Sequence, residues 1–113
     1  IGFCPFASRF PFEMWLMSKK HSPAFDVVAS DELRQLAFML RQSLQRLARI
    51  VDAPLNYAIH SAPLREPRRE RYHWHLEILP RITKIAGFEL ASGYYINTVA
   101  PEVAARQLRE IAL

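Results

Sequence analysis

The sequence predicts an α+β domain, in which helices pack on an antiparallel sheet. Three observations support this fold class. Residues 72–79 alternate polar and apolar side chains, as a half-buried strand does. Residues 31–50 carry leucine and alanine at helical spacing. Pro101 begins a second amphipathic stretch, with proline at a typical first helical position. The predicted order of elements is β-β-α-β-β-(β)-α.

Length and composition bound the class of protein. The chain has 113 residues, of which 50% are hydrophobic, which fits one domain with a real core. No apolar run approaches the ~20 residues that a membrane helix needs. Cys4 is the single cysteine, which excludes an internal disulfide and a cysteine-rich zinc site and favours a cytoplasmic location. The abrupt apolar start, without a signal peptide, indicates a piece of a longer chain.

The N-terminal quarter is predicted to form two strands, at residues 3–7 and 10–18, because large apolar and aromatic residues dominate it. Pro5 and Pro11 restrict these strands to edges, bulges or strand starts. Glu13 is a carboxylate within the second of them. Alternation allows it either to face solvent or to be a buried acid with a partner.

The long helix is predicted over residues 31–50, with Ser30 as its N-cap and acidic residues in the first turn. Asp52-Ala53-Pro54 ends it, and residues 55–60 then read as a strand. Residues 81–91 are ambiguous, and residues 93–97 are predicted to form a short strand or an extended turn.

The chain is basic, with a net charge of +4 and a pI of about 9.6. Much of the excess lies in the polar loop 61–71, at Arg65, Arg68, Arg69 and Arg71. A solvated loop is one interpretation, and an arginine contact to phosphate is the other. Nucleic-acid binding is not predicted, because the cluster is short and has no reading helix or stacking platform beside it.

The strand 72–79 carries the chemistry. Alternation places His73, His75 and Glu77 on one face, and the opposite face, with Trp74, Leu76 and Ile78, is expected to pack against the long helix. If the strand 55–60 pairs with it in antiparallel fashion, His60 lies beside His73 or His75.

Two chemical interpretations of these imidazoles stay open at this point. Three imidazoles from two strands suit zinc or iron(II). An imidazole also acts as a nucleophile at phosphorus and forms a covalent nucleotidyl intermediate. Two exposed histidines on a strand often have neither role. His21, in a lysine-rich loop, is expected to be an ordinary surface residue.

The segment His73-Trp74-His75-Leu76-Glu77-Ile78-Leu79-Pro80 resembles the histidine-triad motif, with Glu77 at the third histidine position. More specifically, the chain resembles the C-terminal half of galactose-1-phosphate uridylyltransferases, the nucleotidyltransferase branch of that superfamily. The match lies in four segments in the same order: Pro11-Phe12-Glu13 with Lys19-Lys20-His21, Ile59-His60-Ser61-Ala62-Pro63, the His73/His75 strand, and Gly93-Tyr94 before a helix starting near Pro-Glu.

This resemblance implies that residues 1–113 form one histidine-triad-like domain, the C-terminal half of a two-domain enzyme. It implies that His60, His73 and His75 bind a metal ion, zinc or iron, and Glu77 is expected to serve as a further ligand or to orient an imidazole. The nucleophile of these enzymes lies in a His-Pro-His motif, which this sequence lacks. The alternative is a free-standing histidine-triad hydrolase or transferase with His75 as nucleophile, or a non-catalytic metal-binding module.

The resemblance also implies the substrates and the assembly. The reaction is a double displacement between a UDP-sugar and a hexose 1-phosphate, in galactose metabolism, and the enzymes are homodimers. Gly93 and Tyr94 are candidate contacts to a sugar bound in the partner subunit. Tyr95 stands where these enzymes carry a glutamate, which leaves related substrates such as ADP-glucose open.

Overall fold

The structure is a computed structural model that describes residues 1–65, 67 and 69–113. Arg68 is therefore outside the described residues, and the two interpretations of the basic loop are compared only for its other arginines. Arg65 and Arg71 are exposed, as a solvated loop predicts, whereas Arg69 is half-buried. Among the described residues, no helix has the combination of length and apolar character that crossing a bilayer requires.

The predicted α+β class is confirmed. The strands are β1 (Gly2–Phe3), β2 (Met14–Leu16), β3 (Leu55–His60) and β4 (His75–Pro80), and the helices are α1 (Ser30–Ile50), α2 (Gly87–Ser92) and α3 (Pro101–Glu110). Short 3-10 turns cover Phe25–Val27 and Arg69–Arg71.

The strands form one four-stranded sheet in the order β1-β2-β4-β3, and every neighbouring pair is antiparallel. The predicted pairing of residues 55–60 with the histidine strand is confirmed, and His60 lies directly opposite His75. Strand β4 is central, so its side chains have neighbours on both sides. Glu77 lies between Trp15 of β2 and Ala58 of β3.

One face of the sheet carries the core and the other carries the polar residues. The core cluster joins the sheet to α1 and α3, and its buried members are Phe12, Met14, Leu16, Leu47, Leu76, Ile78, Ala104 and Leu108. Arg46 of α1 ties the two helices together, because its guanidinium donates hydrogen bonds to the last carbonyls of α3, at Leu108, Arg109 and Ile111.

The first two predicted strands are much shorter in the structure than the sequence suggested. Between β1 and β2 the chain turns instead of extending, and Phe12 adopts a φ of 59°, which is uncommon outside glycine. Because Pro5 and Pro11 have no amide hydrogen for a sheet ladder, both fall in this turning segment. The turn brings Glu13 close to the sheet's polar face.

The long helix begins one residue earlier than predicted. Its N-cap is Ala29, which makes no side-chain hydrogen bond, so the prediction of Ser30 as N-cap is wrong. Ser30 already has helical geometry, whereas a capping side chain must come from the extended residue before the helix. The end of the helix at Ile50 and the C-terminal helix from Pro101 agree with the predictions.

The histidine strand begins at His75 and not at residue 72. His73 and Trp74 therefore precede the regular alternation. The Trp74 ring is 2% exposed and packs edge-to-face against Phe25, with 5.2 Å between ring centroids. The expectation that Trp74 packs on the long helix with Leu76 and Ile78 is wrong, since Trp74 is not part of that core cluster.

Residues 93–97 do not form the short strand, which was one of the two predicted alternatives. Helix α2 ends at Ser92 and is capped by Gly93. The φ of Gly93 is 73°, the left-handed conformation that terminates helices, and its amide donates to the carbonyl of Glu89 at 2.9 Å. Residues 94–97 then run without strand pairing. The ambiguous segment 81–91 is loop followed by most of α2.

Candidate metal centre

The polar face of the sheet gathers an acid and two imidazoles where β3 ends and β4 begins. His60, His75 and Glu77 each offer one ligand atom, and these three atoms all lie within 4.8 Å of one another. The antiparallel register produces the cluster, because His60 and His75 are direct cross-strand partners and Glu77 is two residues along the same face.

The His75 ring is held by stacking and by one hydrogen bond. It stacks on Trp15 at 4.4 Å and on His60 at 4.9 Å between ring centroids. Its Nδ1 lies 3.0 Å from the carbonyl oxygen of His73, and because a carbonyl only accepts, Nδ1 carries the proton. In the neutral imidazole this leaves the lone pair on Nε2, which lies 3.7 Å from Glu77 Oε1. This arrangement is how proteins orient an imidazole toward a metal.

His60 presents an unsatisfied atom to the same place. Its Nε2 is buried and has no hydrogen-bond partner, although Glu77 Oε2 is only 3.3 Å away. A buried polar atom without a partner costs free energy, and such atoms are rare in folded proteins. A cation between His60 Nε2 and the carboxylate would remove this cost.

Glu77 is 5% exposed and is the acidic centre of the group. Its Oε2 accepts a hydrogen bond from Arg9 Nη2 at 2.5 Å. Arg9 also donates to Glu13 Oε1 at 3.1 Å, so one guanidinium links two buried carboxylates. The cluster thus extends from β4 across β2 into the turn between β1 and β2.

Glu13 is a buried acid with partners, which decides between the two alternatives left open by the sequence. It is 1% exposed, and its Oε2 accepts the backbone amides of Arg9 and Phe10 at 2.6 and 3.3 Å. Its Oε1 accepts Trp15 Nε1 at 2.9 Å. Burial acts to raise the pKa of Glu13, but the hydrogen bonds from Arg9 and Trp15 outweigh it and lower the pKa below its ordinary value.

The trio fits a divalent metal. Ligand atoms ~2.1 Å from a tetrahedrally bound zinc lie about 3.4 Å apart. The distance from His60 Nε2 to Glu77 Oε2 is 3.3 Å and that from His75 Nε2 to the other oxygen, Oε1, is 3.7 Å, and both are of this size. Two imidazoles and one carboxylate are a ligand set that zinc and iron(II) both accept. The chemistry and the unsatisfied His60 nitrogen therefore agree.

His73, the other predicted ligand, has a different environment. Its Nε2 lies 3.1 Å from Ser18 Oγ, and its ring meets His21 edge-to-face at 5.1 Å. Burial lowers the pKa of His73, the nearby His21 adds to this, and the contact with Ser18 acts in the opposite direction. His21 is exposed, as expected, and its Nε2 donates to the Glu70 carbonyl at 2.7 Å. The structure does not bring His73 into the trio, because residue 73 precedes the strand.

The predicted sugar contacts lie on a separate surface segment. Gly93 and Tyr94 are exposed, and Tyr94 keeps 72% of its surface. Tyr95 anchors this segment by an edge-to-face contact with Phe10, at 5.3 Å between centroids. Asn97 adds a hydrogen bond to the carbonyl of Ser8 at 3.3 Å. The segment is thus attached to the same turn that supplies Arg9.

Sequence reasoning missed Arg9 and Trp15. The only signal for this part of the site was the carboxylate of Glu13 in an apolar segment. Nothing in the pattern indicates that Arg9 reaches Glu77, which is 68 positions away in the chain. Trp15 was expected to be a strand aromatic, and its stacking on His75 follows only from the pairing of β2 with β4.

Comparisons with known proteins agree with this architecture. No protein-family model matches the chain. ADP-glucose phosphorylase of Arabidopsis thaliana is 38% identical over 116 residues, covering 100% of this chain and 33% of the relative. Galactose-1-phosphate uridylyltransferase of Thermotoga maritima is 29% identical over 119 residues, covering 97% of this chain and 37% of the relative.

Solved structures give the same picture. A crystal structure of the Arabidopsis thaliana ADP-glucose phosphorylase with bound ADP-glucose superposes with a TM-score of 0.94 at 38% identity, covering 99% of this chain and 37% of that one. A Hit-like protein of Bartonella henselae has a TM-score of 0.67 at 17% identity, covering 96% of this chain and 76% of that one, which shows the fold alone. The resemblance inferred from the sequence is thus confirmed. Nearly the whole of this chain matches about a third of the length of galactose-1-phosphate uridylyltransferase-type proteins, consistent with a C-terminal half of such a protein.

Proposed function

We propose that residues 1–113 are the C-terminal domain of a two-domain nucleotidyltransferase that acts on a nucleotide-sugar and a hexose 1-phosphate. In this proposal the domain holds a divalent metal, zinc or iron, and supplies part of the sugar pocket. The nucleophilic histidine lies outside these residues. The chain spans only about a third of the relatives' length, so the activity is proposed for the longer protein.

The observation that carries the metal site is the buried, unpartnered Nε2 of His60 beside the Glu77 carboxylate. His60, His75 and Glu77 would hold the ion. Bound there, it would cross-link β3 to β4, because its ligands come from both strands. His73 remains a predicted ligand, and its ring would have to leave Ser18 to join.

The environment of His75 supports a ligand role over a nucleophilic one. An attacking imidazole needs an open approach to phosphorus. The His75 side chain is 13% exposed and is sandwiched between Trp15 and His60. Its Nε2 faces Glu77 Oε1. A free-standing hydrolase with His75 as nucleophile is therefore the less favoured alternative.

The relatives support a choice of substrates for this proposal. Identity is higher to a protein named for ADP-glucose than to one named for galactose 1-phosphate, at 38% against 29%. We therefore place an ADP-sugar first and a UDP-sugar of galactose metabolism second. Tyr94 is exposed and carries a hydroxyl group, next to Gly93 at the end of α2. This placement suits contact with a sugar bound by another subunit, which fits a homodimer. The single cysteine fits a cytoplasmic location.

Removing one imidazole from the trio is expected to weaken metal binding by roughly 10–100-fold or more, because a closed ligand set loses a member. The test titrates Co²⁺ or Zn²⁺ into the protein and into His60→Ala, His75→Ala and His73→Ala. His21→Ala is the matched control. Unchanged affinity in both His60→Ala and His75→Ala would reject the site. A loss in His73→Ala would show that His73 moves into it.

The activity is tested on the longest reading frame that contains these residues. Purified protein is mixed with ADP-glucose or UDP-glucose and then with a sugar 1-phosphate or inorganic phosphate as acceptor. We expect faster nucleotide transfer from ADP-glucose and a covalent nucleotidyl adduct on a histidine outside residues 1–113. An adduct on His75 would support the alternative, and no transfer from either donor would contradict the proposal.

A further inference from the structure

We propose that Arg9 competes with the divalent metal for Glu77: its guanidinium neutralises this carboxylate when no metal is bound and thereby lowers the affinity of the site. This inference rests on the proposed metal centre and adds a residue that controls it. It makes Arg9 a positioning residue of the site and not a ligand.

The first support is that both cations need the same oxygen. Arg9 Nη2 lies 2.5 Å from Glu77 Oε2. The same oxygen is 3.3 Å from the unpartnered Nε2 of His60, which places it where a bridging metal would bind. A metal ~2.1 Å from this oxygen would lie within about 5 Å of the guanidinium nitrogen. Two positive charges that close oppose each other.

The second support is that the Arg9 guanidinium has another carboxylate partner, Glu13. Its Nη2 is already 3.1 Å from Glu13 Oε1, and the Arg9 side chain is 36% exposed. Rotation of the guanidinium toward Glu13 and solvent would release Glu77 without leaving Arg9 unpaired. Glu13 itself stays in place, because Trp15 Nε1 and the amides of Arg9 and Phe10 hold it independently of the guanidinium.

The third support is the cost of an empty site. Glu77 is 5% exposed, and a buried carboxylate without a countercharge is strongly unfavourable. The guanidinium of Arg9 supplies this countercharge when no metal is bound, because arginine is always protonated, and metal binding must displace the Arg9–Glu77 ion pair. Arg9 therefore stabilises the metal-free state at the expense of affinity.

The test compares metal affinity in Arg9→Gln and in the protein with Arg9 intact. Co²⁺ is titrated by its visible absorption and Zn²⁺ by calorimetry, at one low ionic strength. Arg9→Gln is expected to bind at least tenfold more tightly and to unfold at a lower temperature without metal, with the difference reduced at saturating Zn²⁺. Arg34→Gln is the control, because it makes the same charge change on the exposed Arg34–Asp31 pair of α1. Its affinity should not change.

A second variant keeps the test decisive if Arg9→Gln does not fold. Lysine retains the charge but lacks the planar fork that links two carboxylates, so Arg9→Lys is expected to bind metal more tightly by a smaller factor. Equal or weaker affinity in a folded Arg9 variant overturns the inference. If His60→Ala abolishes metal binding while the Arg9 variants leave the affinity unchanged, the metal site is supported but its regulation by Arg9 is rejected. If no variant, nor the unaltered protein, binds metal, both proposals fail.

Discussion

Replacing Ile78 by alanine is expected to lower the free energy of unfolding by about 2–5 kcal/mol, the range for truncating a buried isoleucine to alanine. Ile78 is 0% exposed at the centre of β4. It pairs with Met14 on one side and Tyr57 on the other, so the cavity would be enclosed by both neighbouring strands and the core below them. Urea denaturation followed by circular dichroism measures the change.

Ile82→Ala is the matched control, because the same atoms are removed from a side chain that is 41% exposed just after β4. It should change stability by less than about 1 kcal/mol. A loss at Ile78 no larger than at Ile82 would contradict the central position of β4 in the core.

Replacing Glu13 by glutamine is expected to cost about 2–4 kcal/mol at neutral pH, since an acceptor of charge-assisted hydrogen bonds becomes a neutral amide in a buried site. One amide oxygen cannot accept the bonds from Trp15 and from the Arg9 and Phe10 amides as two carboxylate oxygens do. The Arg9 guanidinium also loses one of its two carboxylate partners.

The cost should depend on pH in a defined direction. The folded pKa of Glu13 lies below its ordinary value of 4.5, because hydrogen bonds from Arg9 and Trp15 outweigh burial. Its stabilising contribution is therefore complete above the unfolded pKa and is lost as pH falls through the folded pKa. The difference between the original protein and Glu13→Gln should be constant from pH 6 to 7 and shrink below pH 4.

Denaturation curves from pH 3 to pH 7 provide this measurement. Glu110→Gln, at an exposed position in the last turn of α3, removes a carboxylate without buried partners among the described residues and serves as control. A Glu13→Gln difference that stayed constant down to pH 3 would show that the pKa of Glu13 does not fall on folding.

Several features were predictable because they depend on short stretches of sequence. The long helix and the C-terminal helix follow from the spacing of leucine and alanine and from Pro101. The antiparallel partner of the histidine strand followed once residues 55–60 were read as a strand. The lengths of β1 and β2 were not predictable from aromatic content, because turn formation at Pro11 and Phe12 competes with strand formation there.

The composition of the site shows the same limit. His60, His75 and Glu77 were all singled out by type and spacing, and the structure brings their ligand atoms together. His73 was included by alternation, but alternation applies only inside a strand, and β4 starts two residues later. Arg9 was not considered, because its partner Glu77 lies 68 positions along the chain.

The sequence by itself determined the fold class, the two principal helices, the histidine strand and the superfamily resemblance, because periodicity and motifs are local properties of the chain. Only the tertiary structure decided which imidazoles share a site, that Glu13 is buried, and that Arg9 joins Glu13 to Glu77. These depend on strand order and register, which place β2 and β3 on opposite sides of β4. Contacts between residues distant in the chain are set by that packing, and no local pattern contains them.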